Sequence, residues 1–289
     1  MTDPTVFWPA LLGLAVLVAG LITYRRDAHG LAAFGPVLVA ASLAAFAGEH
    51  FTIAPALAGL VPKWLPGRLF IAYFVGVAHL AAALSFVARR YVRWSSLCLA
   101  VMFALFVLLM DLPGAITHPT TRLFWSLAAR ETTYAIGALA LFATVIRTDH
   151  PQPALTLARI ARIWTAFVLV FYGLENLLYP QFSPGVPDVT PTAAWIPFPR
   201  LFAYATGLLL VAFGIAMLAQ KHAASSAARS GLLMTLLTVA LYVPQFFLAH
   251  DASQQLNALN FIFDTLLFAG MMLVISHAVA EPASAQSHS

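Results

Sequence analysis

Long apolar runs separated by short polar clusters divide this chain from end to end. A bilayer-spanning helix needs about 20 predominantly apolar residues. Nine runs approach or exceed that length: Phe7 to Tyr24, Phe34 to Thr52, Leu69 to Ala88, Ser95 to Ile116, Leu123 to Ile146, Ala158 to Leu178, Leu201 to Ala219, Gly231 to Ala249, and Leu256 to Val279. The pattern predicts an all-α fold, a polytopic membrane helical bundle of about nine transmembrane helices. The first run is followed, not preceded, by Arg25 and Arg26. That is the reverse of a cleaved signal peptide, so the run is read as a retained span. Residues 281–289 are rich in Ser and Ala and are expected to form a disordered tail.

Composition points the same way. The 289 residues are 61% hydrophobic and 9% charged, where a soluble domain carries about 25% charged residues. Lipid permits such a balance, because the outside of the fold can be as apolar as its inside. The net charge of +4 gathers at helix ends. That placement argues for membrane orientation and against nucleic-acid binding. Cys98 is the one cysteine, which excludes an internal disulfide framework or CxxC pair.

Basic residues set the expected orientation. With the junction after the first span placed in the cytoplasm and the spans alternating, Arg25, Arg26, Arg89, Arg90, Arg93, Arg147, Arg159, Arg162, Lys221 and Arg229 all face inward. Lys63, Arg68, Arg122, Arg130 and Arg200 fall on the other side. The reading is N-terminus out and C-terminus cytoplasmic, in a cell membrane of the bacterial inner-membrane type.

The chain also repeats itself. At an offset of 131, Trp64 matches Trp195, Pro66 matches Pro197, Tyr73 matches Tyr204, Gly76 matches Gly207, Arg90 matches Lys221, and Pro113 matches Pro244. With small gaps, Glu49 matches Glu175, and Glu131-Thr132 with Gly137 matches Asp264-Thr265 with Gly270. The expected organisation is an N-terminal transmembrane helix (1–33), a first four-helix repeat (34–150), a second (151–280), and the tail (281–289). Four spans per unit is an even number, so the two units run parallel.

Charges in membrane helices cost about 2.5–3.5 kcal/mol each on an insertion scale, so the buried polar residues are the informative ones. Glu49 with His50, Arg130 with Glu131, Glu175 with Asn176, and Asp264 are the candidate ligand- or proton-binding residues. Each unit is expected to gather two acids, Glu49 with Glu131 and Glu175 with Asp264, in an outward-facing cavity. Against this stands a structural reading, in which Glu49 and Glu175 reach interfacial water and Glu131 pairs with Arg130 or Arg122. Neighbouring helical positions point about 100° apart, so Arg130 and Glu131 are expected to take different partners. His79 reads as a helix-to-helix hydrogen bonder, and Asp111 either as a solvated helix end or as a further member of the first cavity. His118, His250 and Asp251 read as exposed loop residues. Glu49, His50 and Glu131 have none of the regular metal-ligand spacings, so no metal is expected. Trp64 and Trp195, each flanked by prolines, read either as interfacial anchors or as lids over the acids.

Three short stretches carry a family resemblance: Gly48-Glu49-His50-Phe51, Val61-Pro62-Lys63-Trp64-Leu65-Pro66, and Tyr73-Phe74-Val75-Gly76. Together they resemble the DoxX-like membrane proteins over residues 34–147, and less clearly over 158–279. That resemblance implies a four-helix unit and a link to quinone-coupled redox chemistry, with a membrane or periplasmic redox partner. Only Glu49 and His50 fall on motif positions. The sequence has no flavin, nucleotide, nucleophile or phosphate-loop motif and no evident cofactor, so whether it is an enzyme stays open. Three functions compete: a quinone-handling redox subunit, a transporter or lipid- or metabolite-binding protein, and an anchor for a partner enzyme.

Overall fold

The computed structural model describes residues 3–26, 28 and 30–280; the expected tail at 281–289 lies outside them. Among the described residues the chain is helical and has no strand, only an isolated antiparallel bridge between Phe182 and Pro191. In chain order the helices are α1 (Pro4–Tyr24), α2 (Gly35–Thr52), the short α3 (Ala54–Leu57), α4 (Arg68–Ala88), α5 (Val92–Phe106), α6 (Leu112–Thr117), α7 (Arg122–Ile146), α8 (Pro151–Leu178), α9 (Pro199–Leu218), α10 (Gln220–Leu237), α11 (Val243–Leu248) and α12 (Ala252–Val279).

Eight helical stretches are long and apolar enough to cross a membrane, with α5–α6 and α10–α11 each counting as one. This is one fewer than the nine expected. The difference is α7, which is long enough at 25 residues but carries Arg122, Arg130 and Glu131, which dilute its apolar run. Two helices begin well before the apolar runs that predict them. α8 starts at Pro151 and α10 at Gln220, because helix continues through polar turns that hydropathy does not register. Proline at the first turn of α8 fits there, since that N–H has no helical partner.

α5 runs into α6, and α10 into α11, through a single widened π turn, at Val107–Asp111 and Thr238–Tyr242. The two turns lie 131 positions apart, as do the two short helices that follow them. Pro113 and Pro244 explain both. A proline ring collides with the carbonyl four residues back and supplies no N–H, and a wide turn just before it relieves the clash.

The centre of the bundle is made by α2, α7, α8 and α12. α12 packs on α2, α7, α8 and α10, while α7 also packs on α5 and α8. Glycine sets how closely α12 meets α2. A Cβ at Gly270 would lie 2.8 Å from the Val39 nitrogen, and one at Gly35 would lie 2.7 Å from the Val274 nitrogen. Small residues at such crossings let helix backbones touch where lipid gives no hydrophobic drive to association. The outer helices turn large apolar side chains outward, Phe70, Phe74, Leu201 and Leu208 among them. A soluble monomer seldom exposes apolar surface on this scale. The fold is compatible with a membrane location.

Candidate functional site

The polar residues converge where α7 and α12 cross. Arg130 stands two turns into α7. Its Nη1 donates to Asp264 Oδ2 on α12 at 2.7 Å, and its Nη2 donates to Glu131 Oε1 at 3.2 Å. One turn further on, the Tyr134 hydroxyl donates to the backbone carbonyl of Asp264 at 2.9 Å. Asp111, at the π turn, is within electrostatic reach of Arg130, and Glu49 is within reach of Asp264. A single arginine thus faces several carboxylates drawn from both halves of the chain.

A structured loop, 179–198, covers this layer. Asn176 on α8 holds it from below: its side-chain amide donates to the Gly185 carbonyl and accepts from the Gly185 N–H, both at 2.9 Å. Gly185 has φ +118, a left-handed conformation that suits glycine. Arg122 pins the loop from the side. Its Nη1 bonds Glu175 Oε2 at 2.6 Å, its Nη2 donates to the Asp188 carbonyl, and its guanidinium lies 4.6 and 4.4 Å from the Tyr179 and Phe182 ring centres. The Asp188 side chain accepts from the Val189 N–H at 2.6 Å and from the Thr190 hydroxyl at 3.1 Å.

Between loop and ion pair is a cavity of about 260 Å³. Arg130, Asp264, Asn257 and Asn260 give it a polar wall, and Leu123 and Phe261 are among its apolar residues. Such a space suits a small head group with hydrogen-bonding atoms on one side and an apolar face on the other.

The structure corrects several expectations. Glu131 pairs with Arg130, as the structural reading had it, while Asp264 pairs with the same arginine and Glu175 with Arg122. The expected pair Glu175 with Asp264 is replaced by Glu175 with Arg122 and Asp264 with Arg130. Arg130 and Glu131 do share a contact, although they are neighbours in sequence, because the guanidinium has donors for two carboxylates at once. Glu49 is buried rather than open to interfacial water, and its Oε1 has no hydrogen-bond partner. His50 Nδ1 meets the Ala72 carbonyl at 2.7 Å. His79 bridges no helices by hydrogen bond: neither ring nitrogen has a partner, and the ring sits among Phe46, Phe103 and His50. Asp111 is no solvated helix end. It lies inside the α5–α6 span, with Oδ2 buried and unpartnered. Trp64 is 69% exposed and Trp195 41%, and neither lines the cavity; residues 186–190 take the covering role. His118, His250 and Asp251 are exposed, as expected.

Arg122 as the loop's clamp, Tyr134, Asp188, Asn257 and Asn260 were not among the expected site residues. Asn257, Asn260 and Asp264 stand three and four positions apart on α12. That spacing puts them on one helical face, and it is visible in the sequence.

Among the described residues, no group of three His, Cys, Asp or Glu side chains is arranged to hold a metal ion. The fold and this layer define an all-helical bundle, with eight helices long and apolar enough to cross a membrane among the described residues and a charged cavity under a loop. No family model, curated protein or solved structure matches the chain. The likeness to DoxX-like proteins therefore rests on its short motifs alone.

Proposed function

We propose that this chain is an integral membrane protein of nine spans that binds a small polar head group in the cavity between Arg130, Asp264 and the 179–198 loop. The observation that carries the reading is the composition of that cavity. It joins a half-buried arginine–carboxylate pair and two asparagine side chains to apolar residues, in a volume of about 260 Å³. That is just below the roughly 300–1,000 Å³ of sites for drug-sized ligands. A quinone ring, with two carbonyl acceptors and two apolar faces, is the ligand class that fits this lining together with the motif resemblance. On this reading the protein is a quinone-linked subunit or partner of a membrane redox system, with its site toward the extracytoplasmic side.

The nine-span arrangement has its own support. α7 runs for about 37 Å at 1.5 Å per residue, enough for a hydrocarbon core of about 30 Å. It packs among helices that qualify as spans, which shelter its charges from lipid. Tandem duplication is supported by the matched π turns and the prolines that follow them, 131 positions apart.

The test is to purify the protein in native lipid particles and identify retained small molecules by mass spectrometry. Asn260→Leu alters the cavity wall without touching an ion pair, and Asp264→Asn alters the pair itself. A quinone held by wild type and lost from both variants is the expected result. An unchanged ligand profile in variants of unchanged stability would sink the binding reading.

A further inference from the structure

At the far end of the same helices lies a second cavity, of about 370 Å³, where the end of α7 and the starts of α8 and α10 meet the end of α12. Its lining includes Arg147, Arg159 and Arg162 together with Pro151, Leu155 and Val279. Among the described residues, no acid lines it.

Two of the arginines are held in place by backbone. Arg147 Nη2 donates to the Ala278 carbonyl and its Nη1 to that of Ala280 at 3.5 Å, while Arg162 Nη1 donates to the Leu218 carbonyl at 2.7 Å. A guanidinium has five N–H donors, so each keeps donors to spare while its position is fixed. These are neutral partners, and among the described residues neither group has an ion-pair partner. Arg159, one turn before Arg162, is exposed and has no hydrogen bond or ion pair among the described residues.

We propose that this cavity binds the phosphate of an anionic phospholipid. Arginine forks match phosphate oxygens in pairs, and basic pockets between membrane helices are suited to acidic head groups. The apolar part of the lining selects lipid over a free anion. Leu155 is 52% exposed at the cavity, and beyond the cavity's Arg159 the exposed Ile163 and Phe167 follow at successive four-residue steps along α8, with Ile160 beside them. Their spacing of three and four residues makes one stripe along which an acyl chain can lie. The basic end of the bundle is the one that arginine placement assigns to the cytoplasm. This site is separate from the cavity at Arg130, and the proposal does not depend on what that cavity binds.

The experiment uses the full chain, delipidated in neutral detergent and returned to bilayer discs of phosphatidylcholine with or without phosphatidylglycerol. Native mass spectrometry counts retained lipid, and a parallel titration uses inorganic phosphate. Wild type is expected to retain phosphatidylglycerol in preference to phosphatidylcholine. Arg159→Gln should weaken that retention about fivefold, the effect of one basic residue near an acidic lipid surface, and Arg159→Lys should restore most of it. Because the Arg159 head group has no hydrogen bond or ion pair among the described residues, the variant remains a fair test even if changes at Arg147 or Arg162 prevent folding. Equal retention of the two lipids, or equal retention by wild type and Arg159→Gln, overturns the proposal. Protection by inorganic phosphate without any preference for phosphatidylglycerol also overturns it, in favour of a soluble phosphate ligand.

Discussion

Arg130 on α7 and Asp264 on α12 meet at 2.7 Å in the middle of the bundle. The two residues are 134 positions apart, and the contact joins the fourth long helix after α1 to the last. Tyr134 reinforces it by bonding the backbone of the same aspartate. The ion pair is at once a structural joint and the floor of the cavity. Any ligand read by Arg130 therefore acts on the joint between the two helices.

Breaking this pair from one side should be more damaging than removing it whole. Loss of one partner leaves a desolvated charge, at a cost of about 3–5 kcal/mol for a fully buried pair. Here about a fifth of each side chain is exposed, 21% and 22%, which places the cost at the low end. Arg130→Met and Asp264→Leu should each lower the unfolding midpoint in lipid discs, and the double variant should recover part of the loss. A double-mutant cycle should return a coupling of roughly 1–3 kcal/mol. Strict additivity would mean that the two side chains do not interact.

Arg122 should govern the order of the 179–198 loop. Its guanidinium bonds Glu175 and the Asp188 backbone while lying against two aromatic rings. Lysine can keep one charge contact but cannot fork or stack in this way. Arg122→Lys should speed amide exchange in residues 182–190 by about tenfold, because a hydrogen bond to a charged group contributes roughly 1.5–3 kcal/mol. Exchange elsewhere in α8 should change little. If the loop exchanges at the wild-type rate, Arg122 is not its clamp.

These two arginines also mark what the sequence could and could not convey. Hydropathy placed every long helix, because a run of some 20 apolar residues is a local signal. Local signals missed the polar starts of α8 and α10, and at α7 they located the helix but not the distant residues that match its charges. The buried acids stood out by their cost in an apolar helix, yet their partners did not, since Arg122 with Glu175 and Arg130 with Asp264 are pairings that only packing determines. Asp188 was hidden because a polar residue in a loop needs no explanation. Asn257 and Asn260 were legible in principle, through the helical face they share with Asp264, but uncharged amides near a helix start carry little cost to draw notice.

Two glycines should respond very differently to a single added methyl group. A Cβ at Gly207 would fall 2.8 Å from the Gly173 carbonyl, a backbone atom of the neighbouring α8. A Cβ at Gly137 would meet only the side chain of Met271, at 2.5 Å from its sulfur. Backbone cannot step aside without separating α8 from α9, whereas at Gly137 the methionine thioether can rotate away and leaves only the Met271 Cβ, at 2.8 Å, to be relieved by a small shift of α12. Gly207→Ala should therefore cost about 1–3 kcal/mol, the usual range for overpacking, and Gly137→Ala clearly less. Equal thermal shifts in the two variants would show that the α8–α9 contact is looser than the geometry indicates.

The crossing of α7 can be decided by chemical labelling. On the nine-span reading, the residues before and after α7 lie on opposite sides of the membrane, whereas an eight-span chain with α7 on one side would leave both ends together. Cys98 is exposed on the bundle, so it is first replaced by serine. Single cysteines are then placed at Thr120 and at Asp149, both exposed beyond the helix ends. A membrane-impermeant maleimide applied to intact cells should label Thr120→Cys and leave Asp149→Cys unlabelled until the membrane is opened. The opposite pattern would keep the span and invert the orientation. Labelling of both from outside would remove α7 from the membrane and leave the charges of Arg130 and Glu131 without the sheltered crossing that the pairing of Arg130 with Asp264 implies.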